Sequence, residues 1–111
     1  MNTMTRLPAI ALAALPFVAA CAPNPASIAA VPMGAGAYAG LTCQDAVNTL
    51  AAERANLDAL SAKQRGAATG DAFSVLLIGV PTSGLTGSNV AGEIAASKGK
   101  VLSLEARAVG C

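Results

Sequence analysis

The sequence predicts an all-α fold, an antiparallel helical hairpin that is closed by a disulfide and preceded by a disordered tether. Three observations support this prediction. Two segments carry apolar residues at helical spacing, each segment has a cysteine in phase with its apolar face, and the residues ahead of both are rich in proline and glycine. The chain has 111 residues, which suffices for one small domain, so a single hairpin accounts for the folded part.

The first predicted helix begins after Thr42, which suits the N-cap position, while Asp45 places a carboxylate beside the unpaired N–H groups of the first turn. Gly66 and Gly70 mark its expected end. Alternating steps of four and three residues from Cys43 define a stripe that polar residues interrupt, so the inward face is only moderately apolar. The stripe consists of Cys43, Val47, Leu50, Arg54, Leu57, Ser61 and Gln64.

The second predicted helix covers residues 89–109 and has the same spacing. Either Ser88 or Asn89 provides its N-cap. Gly92 and Gly99 each cost about 1 kcal/mol relative to alanine, and we expect them to allow a close approach of the partner helix. The stripe consists of Val90, Ile94, Ser97, Val101, Leu104, Ala108 and Cys111.

Cys43 and Cys111 lie at the two helix ends that an antiparallel hairpin brings together. The sequence therefore predicts a disulfide between them, and the alternative is two buried thiols. Closing a loop of about 70 residues lowers the conformational entropy of the unfolded chain, which stabilises the fold by roughly 4 kcal/mol. Because Phe17, Tyr38 and Phe73 are the only aromatic residues, the core is thin, and such a covalent link can decide whether the domain folds.

Residues 71–88 connect the two helices and contain an apolar run at residues 72–80. The run is too short to span a bilayer, which takes about 20 residues, and its spacing does not distinguish a short helix, a buried strand and a membrane-dipping segment. Folded over the hairpin, the run belongs to the core. Exposed, it forms an adhesive apolar tip for a protein partner or a membrane. The candidate tip residues are Val75, Leu76, Leu77 and Ile78.

The first twenty residues have the pattern of a cleavable export signal. Arg6 carries the only side-chain positive charge ahead of an apolar run at residues 7–20. The run has 14 residues, whereas a helix that spans the membrane takes about 20, and Pro8 and Pro16 disfavour one long helix. The pattern therefore indicates that the chain is exported.

The tetrapeptide at residues 18–21, Val-Ala-Ala-Cys, resembles the lipobox of bacterial lipoproteins. That resemblance implies cleavage before Cys21, diacylglycerol on its thiol and acylation of its amino group. Ala22 rather than aspartate at the next position implies the periplasmic face of the outer membrane. Lipidation also explains the odd number of cysteines, because it leaves one pair for a disulfide. The alternatives are ordinary signal cleavage and retention of the apolar run as an anchor.

Residues 21–41 are predicted to hold the lipidated cysteine and a flexible tether to the hairpin. Residues 22–40 contain three prolines, which disfavour helix, and three glycines, which loosen the chain. A flexible coil of about 19 residues spans roughly 25 Å, which places the folded part near the membrane surface. The alternative is that the glycine- and alanine-rich stretch packs against a partner.

Composition and motifs argue against several activities. Without the signal segment, which holds one of the seven basic residues, six basic residues balance six acidic ones, so no nucleic acid partner is expected. The chain has no histidine, and neither a metal nor another cofactor is expected. Residues 79–86 match a phosphate-binding loop except that Leu85 replaces the lysine, so no nucleotide is expected. Lys63, Lys98 and Lys100 are expected on solvated faces, and no catalytic residue is predicted.

After Cys21 the sequence is similar to small uncharacterised lipoproteins of alphaproteobacterial type, in which an early and a terminal cysteine bracket two helices. The matching pieces are Leu41-Thr42-Cys43, Ile78-Gly79-Val80-Pro81, Leu85-Thr86-Gly87, Glu93-Ile94-Ala95, Ser97-Lys98-Gly99 and Cys111. We therefore expect a nonenzymatic envelope lipoprotein, anchored in a membrane through acylated Cys21, with a structural or protein-interaction role. The alternative is a membrane-active lipoprotein whose apolar tip inserts into bilayers.

Overall fold

The structure is a computed structural model that describes residues 21–111, so the export signal predicted for residues 1–20 lies outside the described part. Within residues 21–111 the chain forms helices and loops and no strand. A short 3-10 turn at Pro25–Ser27 precedes three helices, which are α1 (Cys43–Ile78), α2 (Ser83–Thr86) and α3 (Ala91–Val109). Helices α1 and α3 pack against each other as an antiparallel hairpin, as the sequence predicts.

Helix α1 begins where the sequence predicts. The Thr42 hydroxyl accepts a hydrogen bond from the backbone N–H of Asp45 at 3.1 Å and donates to the Asp45 carboxylate at 2.8 Å. The first of these hydrogen bonds satisfies one of the backbone N–H groups that have no partner within the first turn of a helix. Thr42 is thus confirmed as the N-cap.

The end of α1 lies further along the chain than the sequence predicts. The helix continues through Gly66 and Gly70 to Ile78, where Gly79 adopts a left-handed conformation with φ of 74° and ends it. A glycine inside a helix costs only about 1 kcal/mol, and the buried residues Ala67 and Asp71 beside these glycines stabilise the longer helix. Of the conformations left open for the apolar run, residues 72–78 are helical.

Helix α3 occupies nearly the predicted range, and five of the seven residues of its predicted stripe are buried, whereas Ala108 is half-buried and Cys111 is exposed. Val90 takes the N-cap position rather than Ser88 or Asn89, although the Asn89 side chain accepts from the backbone N–H of Ala91 at 3.2 Å. The buried stripe residues are Val90, Ile94, Ser97, Val101 and Leu104.

The core between the helices is small, as the shortage of large side chains predicts. On α1 the stripe is less regular than on α3, because Val47 is exposed and Arg54 reaches out to Glu105 at 2.8 Å. One apolar cluster of the core consists of Leu50, Val101 and Leu104, against which Tyr38, Leu41, Leu57 and Ala108 pack.

The predicted disulfide between Cys43 and Cys111 is confirmed. It closes the hairpin at the start of α1 and the end of α3, with 5.6 Å between the two Cα atoms and 68 residues of separation. Arg107 lies beside it and donates to the carbonyl of Leu41 at 2.7 and 3.2 Å. We call this the disulfide end of the hairpin.

Residues 22–40 differ from the flexible tether that the sequence predicts. They run along the hairpin from the far part of α1 back toward the disulfide end, and the backbone N–H of Val31 donates to the carbonyl of Ala95 at 2.9 Å. Polar side chains of α1 and α3 bind the carbonyls of this segment, as described below.

Candidate functional site

The end of the hairpin opposite the disulfide exposes a set of apolar side chains. Leu76, Leu77 and Ile78 of the predicted tip are 81%, 65% and 67% exposed, whereas Val75 is half-buried. Three further exposed residues enlarge the surface beyond the predicted tip. We call the whole set the apolar end, and its members are Phe73, Leu76, Leu77, Ile78, Val80 and Leu85.

The apolar end lies in a part of the chain without charge. The 21 residues from 72 to 92 include no lysine, arginine, aspartate or glutamate. Among residues 21–111, every charged side chain belongs to residues 45–71 or 93–107. Adjacent exposed leucine and isoleucine side chains without intervening charge are typical of a surface that contacts an apolar partner or a membrane.

The residue that follows Cys21 is fixed at this same end of the molecule. Asp71 accepts a hydrogen bond from the backbone N–H of Ala22 at 2.7 Å. It also accepts from the backbone N–H of Ser83 at 2.7 Å and from the Ser83 hydroxyl at 2.5 Å. Seven residues of helix separate Asp71 from Ile78, which is about 10 Å along the axis. Cys21 therefore lies close to the apolar end.

The Asp71 carboxylate is fully buried, and its hydrogen bonds keep it ionised. Burial raises the pKa of this carboxyl, but the hydrogen bonds from Ser83 and Ala22 outweigh burial and hold the pKa below its ordinary value. A charged acceptor forms stronger hydrogen bonds than a neutral one. Asp71 thus links the start of the described chain, α1 and α2 in one buried contact.

Gln64 forms a second buried polar contact, two helical turns before Asp71. Its side-chain oxygen accepts from the backbone N–H of Val90 at 2.7 Å. Its amide nitrogen donates to the carbonyl of Pro23 at 3.0 Å and to the side chain of Asn89 at 3.1 Å. Gln64 is fully buried and joins α1 to the start of α3 and to the N-terminal segment.

Sequence reasoning missed the roles of both side chains, although a signal was present. Gln64 is the last position of the α1 stripe, and it counted as a polar interruption. Continuing the same steps of four and three residues from Gln64 reaches Ala68 and then Asp71. A polar residue on the inward face of a helix needs buried hydrogen-bond partners. The position of both residues on the α1 stripe therefore indicated these contacts.

Lys98 also differs from its expected place on a solvated face. Its ammonium group donates to the carbonyls of Pro25 and Ile28 at 2.7 and 2.6 Å, and the side chain is half-buried. Lys63 and Lys100 are exposed, as expected. Lys98 is therefore a third side chain that holds the N-terminal segment against the hairpin.

Gly99 allows a close approach, but the N-terminal segment takes the position that we expected for the partner helix. A Cβ atom at residue 99 would overlap the carbonyl group of Val31. Around Gly92, in contrast, there is open space. The absence of a side chain at Gly99 is what permits residues near Val31 to lie on α3.

Two shallow cavities lie away from the apolar end. The larger, about 290 Å³, is lined in part by Tyr38 and Arg107. The other, about 240 Å³, contains Ser97, whose hydroxyl donates to Glu53 at 2.6 Å. This hydrogen bond holds the pKa of Glu53 below its ordinary value, which makes the carboxylate a weak base for activating the serine. Residues 21–111 contain no group of three or more potential metal ligands.

The fold and this surface define a small, disulfide-closed helical hairpin with an uncharged apolar end. None of the helices in residues 21–111 has both the length and the apolar character needed to cross a bilayer. Comparison of the chain with protein-family models, curated proteins and solved structures gave no match. Its function is therefore inferred from the geometry described above.

Proposed function

We propose that this chain is a nonenzymatic envelope lipoprotein that is anchored in a membrane through acylated Cys21 and has a structural or protein-interaction role. The observation that carries the proposal is the fixed position of Ala22 beside the apolar end. An anchor attached at Cys21 brings that end of the hairpin to the membrane. The Cys43–Cys111 disulfide supports export, because disulfides persist in oxidising compartments.

The shape of the hairpin supports a structural or interaction role. Helix α1 has 36 residues and is therefore about 54 Å long. The disulfide ties one end of it to α3, and Gln64 and Asp71 link its other half to neighbouring segments. A rod secured at both ends holds a binding surface at a set distance from its anchor. From Ala22 we propose the periplasmic face of the outer membrane as the location of this rod.

The anchor is tested by the intact mass of the protein extracted from membranes, measured with and without reduction before alkylation. We expect the mass of residues 21–111 plus acyl groups, with two alkyl tags added only after reduction. A Cys21→Ser variant is the control and should lose the acyl mass. An unlipidated wild-type mass, with a tag on Cys21 before reduction, would contradict the proposal.

A second candidate function is a membrane-active lipoprotein whose apolar tip inserts into bilayers and disturbs them. The exposure of Leu76, Leu77 and Ile78 favours it. Purified lipidated protein would be added to vesicles loaded with a self-quenching dye. Dye release that a Leu77→Asp change abolishes would support this function, and vesicles that stay sealed would favour the structural role.

A further inference from the structure

The direction in which the chain enters the fold determines which end of the hairpin is next to an anchor at Cys21. Neighbouring Cα atoms are about 3.8 Å apart, and Ala22 is bonded to Asp71 near the end of α1. The disulfide end is remote from this point, since the 28 residues from Cys43 to Asp71 span about 42 Å of helix. An acyl group on Cys21 is therefore close to the apolar end and far from the disulfide.

The contacts of residues 22–31 fix the position of the anchor point relative to the hairpin. A flexible tether would let either end approach the membrane. Here the side chains of Asp71, Gln64 and Lys98 bind successive backbone groups of the segment, and Val31 is bonded to α3. The anchor point and the hairpin consequently behave as one body.

The two ends of the hairpin also differ in polarity, and the end next to the anchor is the one suited to contact with lipid. The apolar end is exposed and lies within 21 uncharged residues, so contact with lipid desolvates no charged group. Toward the disulfide end, exposed charged side chains such as Arg54, Asp58 and Lys100 line the hairpin and favour water. The bilayer that receives the acyl chains lies within reach of Leu76 and Leu77, whereas a protein partner there would have to displace lipid.

We propose that the apolar end lies in the interface of the bilayer in which Cys21 is anchored, and that the hairpin projects with its disulfide end away from the membrane. This orientation rests on the lipid anchoring proposed above. It assigns the exposed leucine and isoleucine side chains to lipid rather than to a protein. Surfaces for protein partners are then those of the charged part of the hairpin.

The orientation is tested with single tryptophan reporters, which are clean probes because the chain has no tryptophan. Leu77→Trp reports on the apolar end, and Val109→Trp, at a position 87% exposed, reports on the disulfide end. Each lipidated full-length variant is reconstituted into phosphatidylcholine vesicles with or without brominated acyl chains. We expect the brominated chains to quench Leu77→Trp several-fold more than Val109→Trp, with blue-shifted emission for Leu77→Trp only.

Intact masses and circular dichroism of the same samples separate the two proposals. An unlipidated mass contradicts the lipoprotein function itself. A lipidated, helical protein in which both reporters are quenched equally, or Val109→Trp more strongly, overturns the orientation alone. Equal and weak quenching would mean that neither end lies in the bilayer, so that the apolar end faces water or a second copy of the chain, and it would also overturn the proposal.

Discussion

Three buried or half-buried polar side chains connect parts of this chain that are distant in sequence. Asp71 binds Ala22 across 49 residues, and Lys98 binds Pro25 across 73. In a core with few large side chains, such contacts supply specificity that apolar packing cannot. The residues that join the N-terminal segment to the hairpin are therefore the places where single substitutions have the clearest effects.

Replacing Asp71 by asparagine removes the charge that three hydrogen bonds share. We expect Asp71→Asn to lower the free energy of unfolding by about 2–3 kcal/mol, because donors from Ala22 and Ser83 lose an ionised acceptor in a buried site. Urea denaturation followed by circular dichroism measures the change. Asp58→Asn, at an exposed position of α1, should change it by less than about 0.5 kcal/mol.

The lowered pKa of Asp71 makes the stability of the fold depend on pH in the acid range. A carboxyl whose pKa is lower in the folded than in the unfolded state stabilises the fold above its ordinary pKa. This contribution is lost as the pH falls below about 4 and through the folded-state value. We expect Tm to fall in that range for the wild-type chain and to fall less for Asp71→Asn. An equal acid dependence in both would contradict this role of Asp71.

The two glycines of α3 provide a matched pair of substitutions. Gly99→Ala should destabilise the fold by about 1–3 kcal/mol, because its methyl group would overlap the Val31 carbonyl and displace the N-terminal segment. Gly92→Ala should be neutral or should stabilise α3 by up to about 1 kcal/mol, since its surroundings are open. Urea denaturation compares the two. A neutral Gly99→Ala change would mean that the segment shifts without cost.

At the scale of the elements, local signals predicted the start of α1 and most of the buried face of α3, whereas the N-cap of α3 is Val90 rather than Ser88 or Asn89. Thr42 has the chemistry of an N-cap, and spacing alone identified Ile94 and Leu104 as inward residues. The end of α1 could not be read in the same way. Gly66 and Gly70 suggest that the helix ends there. The small free-energy cost of a glycine inside a helix is offset by contacts that form only in the folded molecule.

The N-terminal segment shows why local composition was insufficient. Its prolines and glycines are typical of a loose tether, whereas its conformation is set by partners at Gln64, Asp71 and Lys98. Those partners lie at least 41 residues further along the chain, beyond any window of sequence spacing. The closeness of the tip to Cys21 depends on these distant contacts as well. The candidate site was therefore only partly predictable from the sequence.

The binding of this segment by Lys98 can be tested without disturbing the hairpin. We expect Lys98→Met to leave the helix content unchanged but to increase cleavage of residues 22–40 by a nonspecific protease several-fold, because two carbonyls lose their donor. Lys100→Met, at an exposed neighbouring position, is the control. Equal cleavage of both variants would show that Lys98 does not hold the segment.

At the scale of the whole molecule, the disulfide and the buried polar contacts compensate for a small core. Removing the disulfide with a Cys43→Ser, Cys111→Ser double variant should lower the free energy of unfolding by about 4 kcal/mol, given a closed loop of 68 residues. Thermal unfolding of the double variant and of the oxidised wild type measures the difference. A loss below about 1 kcal/mol would mean that packing alone maintains the hairpin.

The contacts of the N-terminal segment also impose an order on folding. Its partners follow it by 41 to 73 residues, so the first described part of the chain to be synthesised is the last to be fixed. Contacts of such long sequence separation form slowly compared with those inside a helix. The segment therefore stays open until α1 has been made, and its contacts with Ala95 and Lys98 form only after α3 follows. During that interval the segment is accessible to a chaperone that binds extended, uncharged polypeptide. It is no longer accessible once the Ala22 N–H is bonded to Asp71.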